Sequence, residues 1–160
     1  MRLLDANLLL YATFDVFPAH RKARAWLDGC LNADARVGIP WESVTAFVRL
    51  ASNPRVIVPC LTVRQAWGQA QYWLGCENVW TPCATPRHQE LLGDLLAGYG
   101  LTHKHVADAH LAALAIEHGL ILCSADADFS RFAGLRYENP LIAAPPKPQP
   151  HRRPTGGHAP

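Results

Sequence analysis

The sequence predicts an α/β sandwich around a short, mostly parallel sheet, and two observations carry that reading. Four brief apolar runs, RLLD (2–5), VGIP (37–40), NVWTP (78–82) and LILCSAD (120–126), lack the polar alternation of a half-exposed strand, which is how strands covered on both faces read. Segments with apolar residues at helical spacing lie between those runs, and strands alternating with helices build a layered α/β fold.

RLLD is the first strand. ANLLLYATF is a short helix, Pro18 marks a turn, and AHRKARAWLDGCLN is a second helix with Ala23, Trp26, Leu27 and Leu31 on its apolar face. VGIP is the second strand and Pro40 ends it. Residues 42–52 return to helical spacing through Val44, Phe47, Val48 and Ala51, until Asn53 and Pro54 stop them. Thr62 followed by Gln65 has the form of a capping box, opening a helix through Trp67, Ala70, Tyr72 and Trp73 that Gly75 closes. After the third strand, Thr85 and Pro86 read as an N-cap and first-turn proline ahead of a helix through Leu91, Leu92, Leu95 and Leu96. A helix from about His105 to His118 precedes Gly119 and the fourth strand, and LRYENPL (135–141) adds an edge strand. Trp26, Trp67 and Trp73, at helical spacing, are expected in the core or a dimer interface.

One domain is expected over residues 1–142, since a chain of 160 residues with 49% hydrophobic content buries a sizeable core. Residues 143–160 are expected to form a proline-rich, disordered tail: from 145 onward there are six prolines, two glycines and no apolar side chain able to build a core. Charge is divided the same way. Residues 1–144 carry 12 Lys/Arg against 13 Asp/Glu, and Lys147, Arg152 and Arg153 make the tail positive, so the body is not a basic nucleic-acid sponge. Five cysteines with no C-x-x-C spacing read as reduced thiols. No apolar stretch approaches the roughly 20 residues that span a bilayer, and Asp5 and Asn7 interrupt the region a signal peptide keeps apolar. A cytoplasmic protein without membrane attachment is expected.

Four acids, Asp5, Glu42, Asp108 and Asp126, sit where strand candidates end or helix candidates begin. Sites in parallel sheets form at the carboxyl ends of the strands, and several carboxylates gathered there repel one another unless a cation joins them. Asp5, Glu42 and Asp126 are each accounted for alone by a cap, a helix N-terminus or a turn, whereas Asp108, set among alanine and leucine in VADAHLAALAIEHG, points its charge either to solvent or into a cleft; together the four suggest a metal-dependent phosphodiesterase. Magnesium takes oxygen ligands, keeps several waters and is held by few carboxylates. Asp5 and Asp108 are the expected direct ligands, with Glu42 and Asp126 secondary, acting through water or on a second ion. Asn7 and Ser124 are placed to orient those carboxylates or contact substrate. Asp128 either faces the metal or caps the turn DADFSRF, and Arg131 either contacts phosphate or forms a surface ion pair.

LLDANLLLYA, IPWESVTAFVRLASNPRV and DAHLAALAIEHG followed by LCSADADFSRFAGLRYENPL resemble the PIN-domain toxins called VapC, in their actinobacterial branch, over residues 2 to about 142. The resemblance implies a PIN-like α/β/α sandwich and a magnesium-dependent endoribonuclease, with manganese as the other possible ion, serving as the toxin of a type II toxin–antitoxin pair. It implies an active site of Asp5, Glu42, Asp108 and Asp126, with Asp5 and Asp108 as metal ligands. It also implies homodimers, a VapB-type antitoxin that brings the toxin to DNA only indirectly, and structured RNA targets such as transfer or ribosomal RNA, whose cleavage inhibits translation. THKHVAD (102–108) departs from the family pattern, carrying His103, Lys104 and His105 where relatives have small or polar residues.

Two other readings compete. His103, His105, Asp108 and His110 suggest a zinc-dependent hydrolase, although His105 and Asp108 share a helix face while His110 points elsewhere. Arg21, Lys22 and Arg24 with Trp26 suggest a non-catalytic RNA-binding module, and Trp41 beside Glu42 suggests a base-stacking surface.

Overall fold

The computed structural model describes residues 1–98 and 100–142, and the predicted tail lies outside them. Five strands form one sheet in the order β3-β2-β1-β4-β5: β1 (Arg2–Leu4), β2 (Val37–Gly38), β3 (Val79–Trp80), β4 (Ile121–Cys123) and β5 (Arg136–Glu138). Every pairing is parallel, so the mostly parallel expectation becomes an all-parallel sheet. β2 and β3 are shorter than their apolar runs suggested, because Pro40 and Pro82 have no N–H to extend a ladder.

The chain leaves β1 toward β2 and β3, then returns past β1 to β4. Helices α1 (Ala6–Thr13), α2 (His20–Leu31), α3 (Trp41–Ala51) and α4 (Val63–Leu74) therefore form one layer, and α5 (His88–Gly98) and α6 (Val106–Glu117) form the other. Side chains of the sheet alternate between the two cores: Leu4 and Cys123 pack with α1–α4, whereas Leu3 and Leu122 pack with α5 and α6. In the first core Phe47 meets Trp73 edge-on at 4.7 Å. In the second, the alanines at 109, 112, 113 and 115 of α6 are fully buried and let that helix lie close against the sheet.

Local signals set the helix ends. The Thr62–Gln65 capping box is formed, with Thr62 Oγ1 accepting from Gln65 N and Gln65 Oε1 accepting from Thr62 N at 2.8 Å. Gly75 closes α4 with an ordinary φ of −83°, whereas Gly119 after α6 has φ of +62°, which favours glycine. There Leu120 N donates to Ala115 O and Gly119 N to Ile116 O, turning the chain directly into β4. Two sequence expectations shift. A short 3-10 turn, His103–His105, precedes α6 rather than belonging to it, and α5 begins at His88 rather than just after Thr85. Cys30 and Cys123 are buried, Cys60 and Cys76 half-buried and Cys83 exposed, all as free thiols. Trp73 is buried and Trp26 half-buried against the first core, while Trp67 is 39% exposed and stacks on Trp41. No helix among the described residues is long and apolar enough to cross a membrane.

Candidate active site

Ligands of open α/β sheets bind where the strand order reverses, outside the carboxyl ends of the strands. Here that point lies between β1 and β4, whose ends are joined by Asp5 N donating to Cys123 O at 3.1 Å. Asp5 follows β1 and occupies the N-cap of α1, but its side chain makes no capping bond to the helix. Its Oδ2 instead accepts from Ser124 Oγ at 2.7 Å. Glu42 lies in the first turn of α3 and Asp108 in the first turn of α6. Three acids therefore stand at helix N-termini, where the helix dipole favours negative charge.

Ser124 organises the centre. The side chain is fully buried, and its hydroxyl donates to Asp5 while accepting from Asn7 Nδ2 at 2.8 Å and from Asp126 N at 3.0 Å. All three hydrogen-bonding positions of a hydroxyl are thereby used. Asn7 Oδ1 accepts in turn from Ala125 N at 3.2 Å, so residues 5 to 7 and 124 to 126 are locked together across β1 and β4. Asn7 therefore reaches Asp5 only through Ser124, and Ser124 holds the carboxylate of Asp5 rather than that of Asp126.

Asp5, Asp108 and Asp126 come together electrostatically. Burial pushes the Asp5 carboxyl above its ordinary range; Ser124 and the Ala6 amide oppose this, and the charges of Asp108 and Asp126 reinforce it. Burial likewise raises Asp108, with Asp126 and Asp128 adding to the rise and His105 and Arg131 opposing it. Two desolvated carboxyls near a third acid form a site whose charge a cation would relieve. Among the described residues, no three His, Cys, Asp or Glu side chains form a ready-made metal cage. Oxygen donors of this kind, incomplete by themselves, fit magnesium, whose remaining positions are filled by water and substrate phosphate.

Glu42 is placed differently. It approaches from α3, and its Oε1 lies 3.0 Å from His110 Nε2 of α6. Asp126 Oδ1 accepts from Asp128 N at 2.9 Å, so the capping role considered for Asp128 belongs to Asp126. Asp128 is held by Arg131, whose Nη2 donates to Asp128 Oδ1 at 2.8 Å, and His105 Nε2 stands 3.7 Å away. Arg131 therefore takes the ion-pair alternative, while still close enough to lower the Asp108 pKa. His105 Nδ1 accepts from Thr102 N at 3.1 Å, fixing the turn that leads to Asp108. The histidines considered for zinc diverge: His105 turns to Thr102 and Asp128, and His110 to Glu42 and to His88 of α5. On α2, Lys22 Nζ donates to Leu141 O, Arg24 pairs with Asp28 at 4.0 Å and Trp26 packs on the core, an ordinary solvated helix face.

One contributor was not read from sequence, and another was read only as a zinc candidate. Tyr137 of β5 donates from its hydroxyl to Ser124 O at 3.3 Å, and burial followed by the Asp126 charge raises its pKa. His110 belongs to α6, which is otherwise buried alanine and leucine over 109–115, and a polar residue inside such a helix was the available signal.

The family model for the PIN domain matches residues 2–135. Ribonuclease VapC37 of Mycobacterium tuberculosis is 39% identical over 140 residues, covering 88% of this chain and 97% of that protein. Ribonuclease VapC33 of the same organism is 37% identical over 137 residues, covering 86% and 96%. Among solved structures, VapBC2 from Rickettsia felis bound to a promoter DNA fragment matches with a TM-score of 0.64 at 17% identity, covering 86% of this chain and 97% of that one. The sarcin-ricin loop cleaving toxin VapC20 of M. tuberculosis matches with a TM-score of 0.63 at 16% identity, covering 85% and 99%. With a family model spanning most of its length and curated relatives matched nearly end to end, the chain belongs to the PIN-domain family, in its VapC branch.

Proposed function

We propose that this protein is a magnesium-dependent endoribonuclease acting as the toxin of a VapBC-type toxin–antitoxin pair, hydrolysing phosphodiester bonds of structured RNA such as transfer or ribosomal RNA and so inhibiting translation. The observation carrying this reading is that Asp5 and Asp126 share the hydroxyl of the fully buried Ser124 at the β1/β4 switch point, with the charge of Asp108 felt at Asp5. Relatives named ribonucleases support the activity.

In this reading Asp5 and Asp108 hold the divalent cation, with magnesium preferred and manganese as the substitute, and Asp126 and Glu42 complete the acidic wall. When bound, the cation supplies positive charge to the phosphodiester and to the leaving oxygen, and activates the attacking water. Ser124 and Asn7 hold Asp5 in one orientation, so little rearrangement is needed as the reaction proceeds. The Asp128–Arg131 pair and the His105 turn border the pocket where RNA enters. A VapB-type antitoxin is the expected partner, supported by the solved VapBC complexes with this fold. A homodimer is also expected, and Trp41, Val63 and Trp67 leave apolar surface on α3 and α4 for association.

The test expresses the full chain and an Asp5→Asn variant in bacteria and sequences newly formed RNA ends. The wild type should generate discrete ends and arrest growth, while the variant does neither. Equal sets of ends from both proteins would refute the assignment.

A further inference from the structure

A chain of four polar side chains runs from the buried interior of the α5–α6 layer to Glu42. It begins at Glu117, in the last turn of α6, whose side chain is only 1% exposed. Glu117 Oε2 accepts from Thr85 N at 3.1 Å and Thr85 Oγ1 at 2.5 Å, and Oε1 lies 2.8 Å from His88 Nδ1. Burial works against its charge, but the Thr85 and His88 hydrogen bonds outweigh burial and hold the pKa below the usual range. His88 Nε2 then meets His110 Nδ1 at 2.9 Å, with the two rings 4.6 Å apart and nearly edge-on. At the far end His110 Nε2, buried and with no aligned hydrogen bond of its own, faces Glu42 Oε1 at 3.0 Å.

Two features set this chain apart from ordinary core satisfaction. It crosses layers: Glu42 belongs to α3 on one face of the sheet and the other three to α5 and α6 on the opposite face. It also places three polar side chains, Glu117, His88 and His110, largely out of water beside the apolar surface of α6, at a desolvation cost that a leucine-filled interface would not carry. Glu42 itself is exposed on a first helical turn, and such a side chain samples many rotamers unless something holds it. An imidazole held through its other nitrogen is a rigid support: the Glu117 carboxylate holds His88 and His88 in turn holds His110, much as carboxylate–histidine pairs orient ligands around catalytic centres.

We propose that His110, held by His88 and Glu117, is the positioning residue for Glu42, fixing its carboxylate at the acidic pocket for RNA cleavage. The proposal rests on the nuclease reading above.

The experiment measures single-turnover cleavage of total bacterial RNA by excess full-length protein, recording the plateau rate and the half-saturating protein concentration. The proteins are wild type, Glu42→Gln, His110→Phe, His88→Phe, His110→Gln, the Glu42→Gln/His110→Phe double variant and Asp5→Asn, each checked for folding by circular dichroism. His110→Phe and His88→Phe should each lower the plateau rate about 10- to 100-fold, with the half-saturating concentration unchanged within about twofold. Adding His110→Phe to Glu42→Gln should cost no more than about a further twofold, and His110→Gln, which restores an N–H toward Glu42, should recover most of the rate. His88→Phe carries the test alone if His110→Phe does not fold. Losses that multiply in the double variant, a loss confined to half-saturation, or a Glu42→Gln protein as fast as wild type would each overturn the positioning role. An Asp5→Asn protein that cuts like wild type would overturn the nuclease site beneath it, a separately visible result.

Discussion

Replacing Ser124 with alanine tests the centre of the site. The substitution removes one oxygen from a fully buried side chain and leaves three groups without their partner: Asp5 Oδ2, Asn7 Nδ2 and the Asp126 amide. A hydrogen bond to a charged group contributes about 1.5–3 kcal/mol, and one between neutral groups about 1 kcal/mol. Asp126 is exposed and its amide recovers water, whereas Asp5 and Asn7 are half-buried, so a destabilisation of about 3 kcal/mol is expected. For a domain of this size that lowers the melting temperature by about 6–12 °C. The variant also loses the contact that opposes the upward shift of Asp5. The Asp5 carboxyl should therefore rise further and hold a cation less well, slowing RNA cleavage about 10- to 100-fold. Thermal unfolding gives the first quantity and single-turnover cleavage the second. In an Asp5→Asn background, where the acceptor is uncharged, the same substitution should cost less. A change in melting temperature below about 2 °C, or an equal cost in both backgrounds, would refute the argument that Ser124 is engaged by the Asp5 charge.

Two other predictions separate site from scaffold. Asp5 and Asp108 have folded-state pKa values above their ordinary ones, so both bind protons more tightly when folded. Their contribution favours folding below the unfolded value of about 3.9 and disappears as pH rises through the raised folded-state value. In chelator, Asp5→Asn should thus be more stable than wild type at neutral pH, by a margin that shrinks on acidification, and excess magnesium should reverse the order through selective stabilisation of wild type. Urea titrations at several pH values with and without magnesium check this, and a wild type more stable than Asp5→Asn in chelator at neutral pH would contradict it. Thr62→Ala removes the capping box of α4, a helix that supplies no acid to the pocket. It should cost about 1 kcal/mol and leave the cleavage rate unaltered; a severe loss of cleavage would show that α4 does more than support the fold.

Much of this arrangement was legible in the chain because the physics is local. The four strand runs, the Thr62 capping box, Gly119 after α6 and the division of helices by Pro18, Asn53 and Pro54 depend on neighbouring residues, and the elements follow them closely. Asp5, Asp108 and Asp126 were recognisable because each marks a strand or helix end, and in a parallel sheet such ends meet. What escaped depends on long-range packing. Asp126 and Asp128 are two residues apart, and only the path of the 3-10 turn (Ala127–Arg131) decides which caps it and which pairs with Arg131. Glu117, His88 and His110 come together only because α5 and α6 pack against each other, and Glu42 reaches them across layers. Periodicity reveals that His110 lies off the Asp108 face, but not that another helix waits there to meet it.

Cation-dependent cleavage at Asp5 and Asp108 is open to direct test in the rate of RNA cleavage measured against free magnesium for wild type, Asp5→Asn and Asp108→Asn. It predicts a saturable rise from essentially no activity in chelator for the wild type, and a flat or strongly weakened response for both variants. Full wild-type activity in chelator, or variants that respond to magnesium as the wild type does, would contradict it.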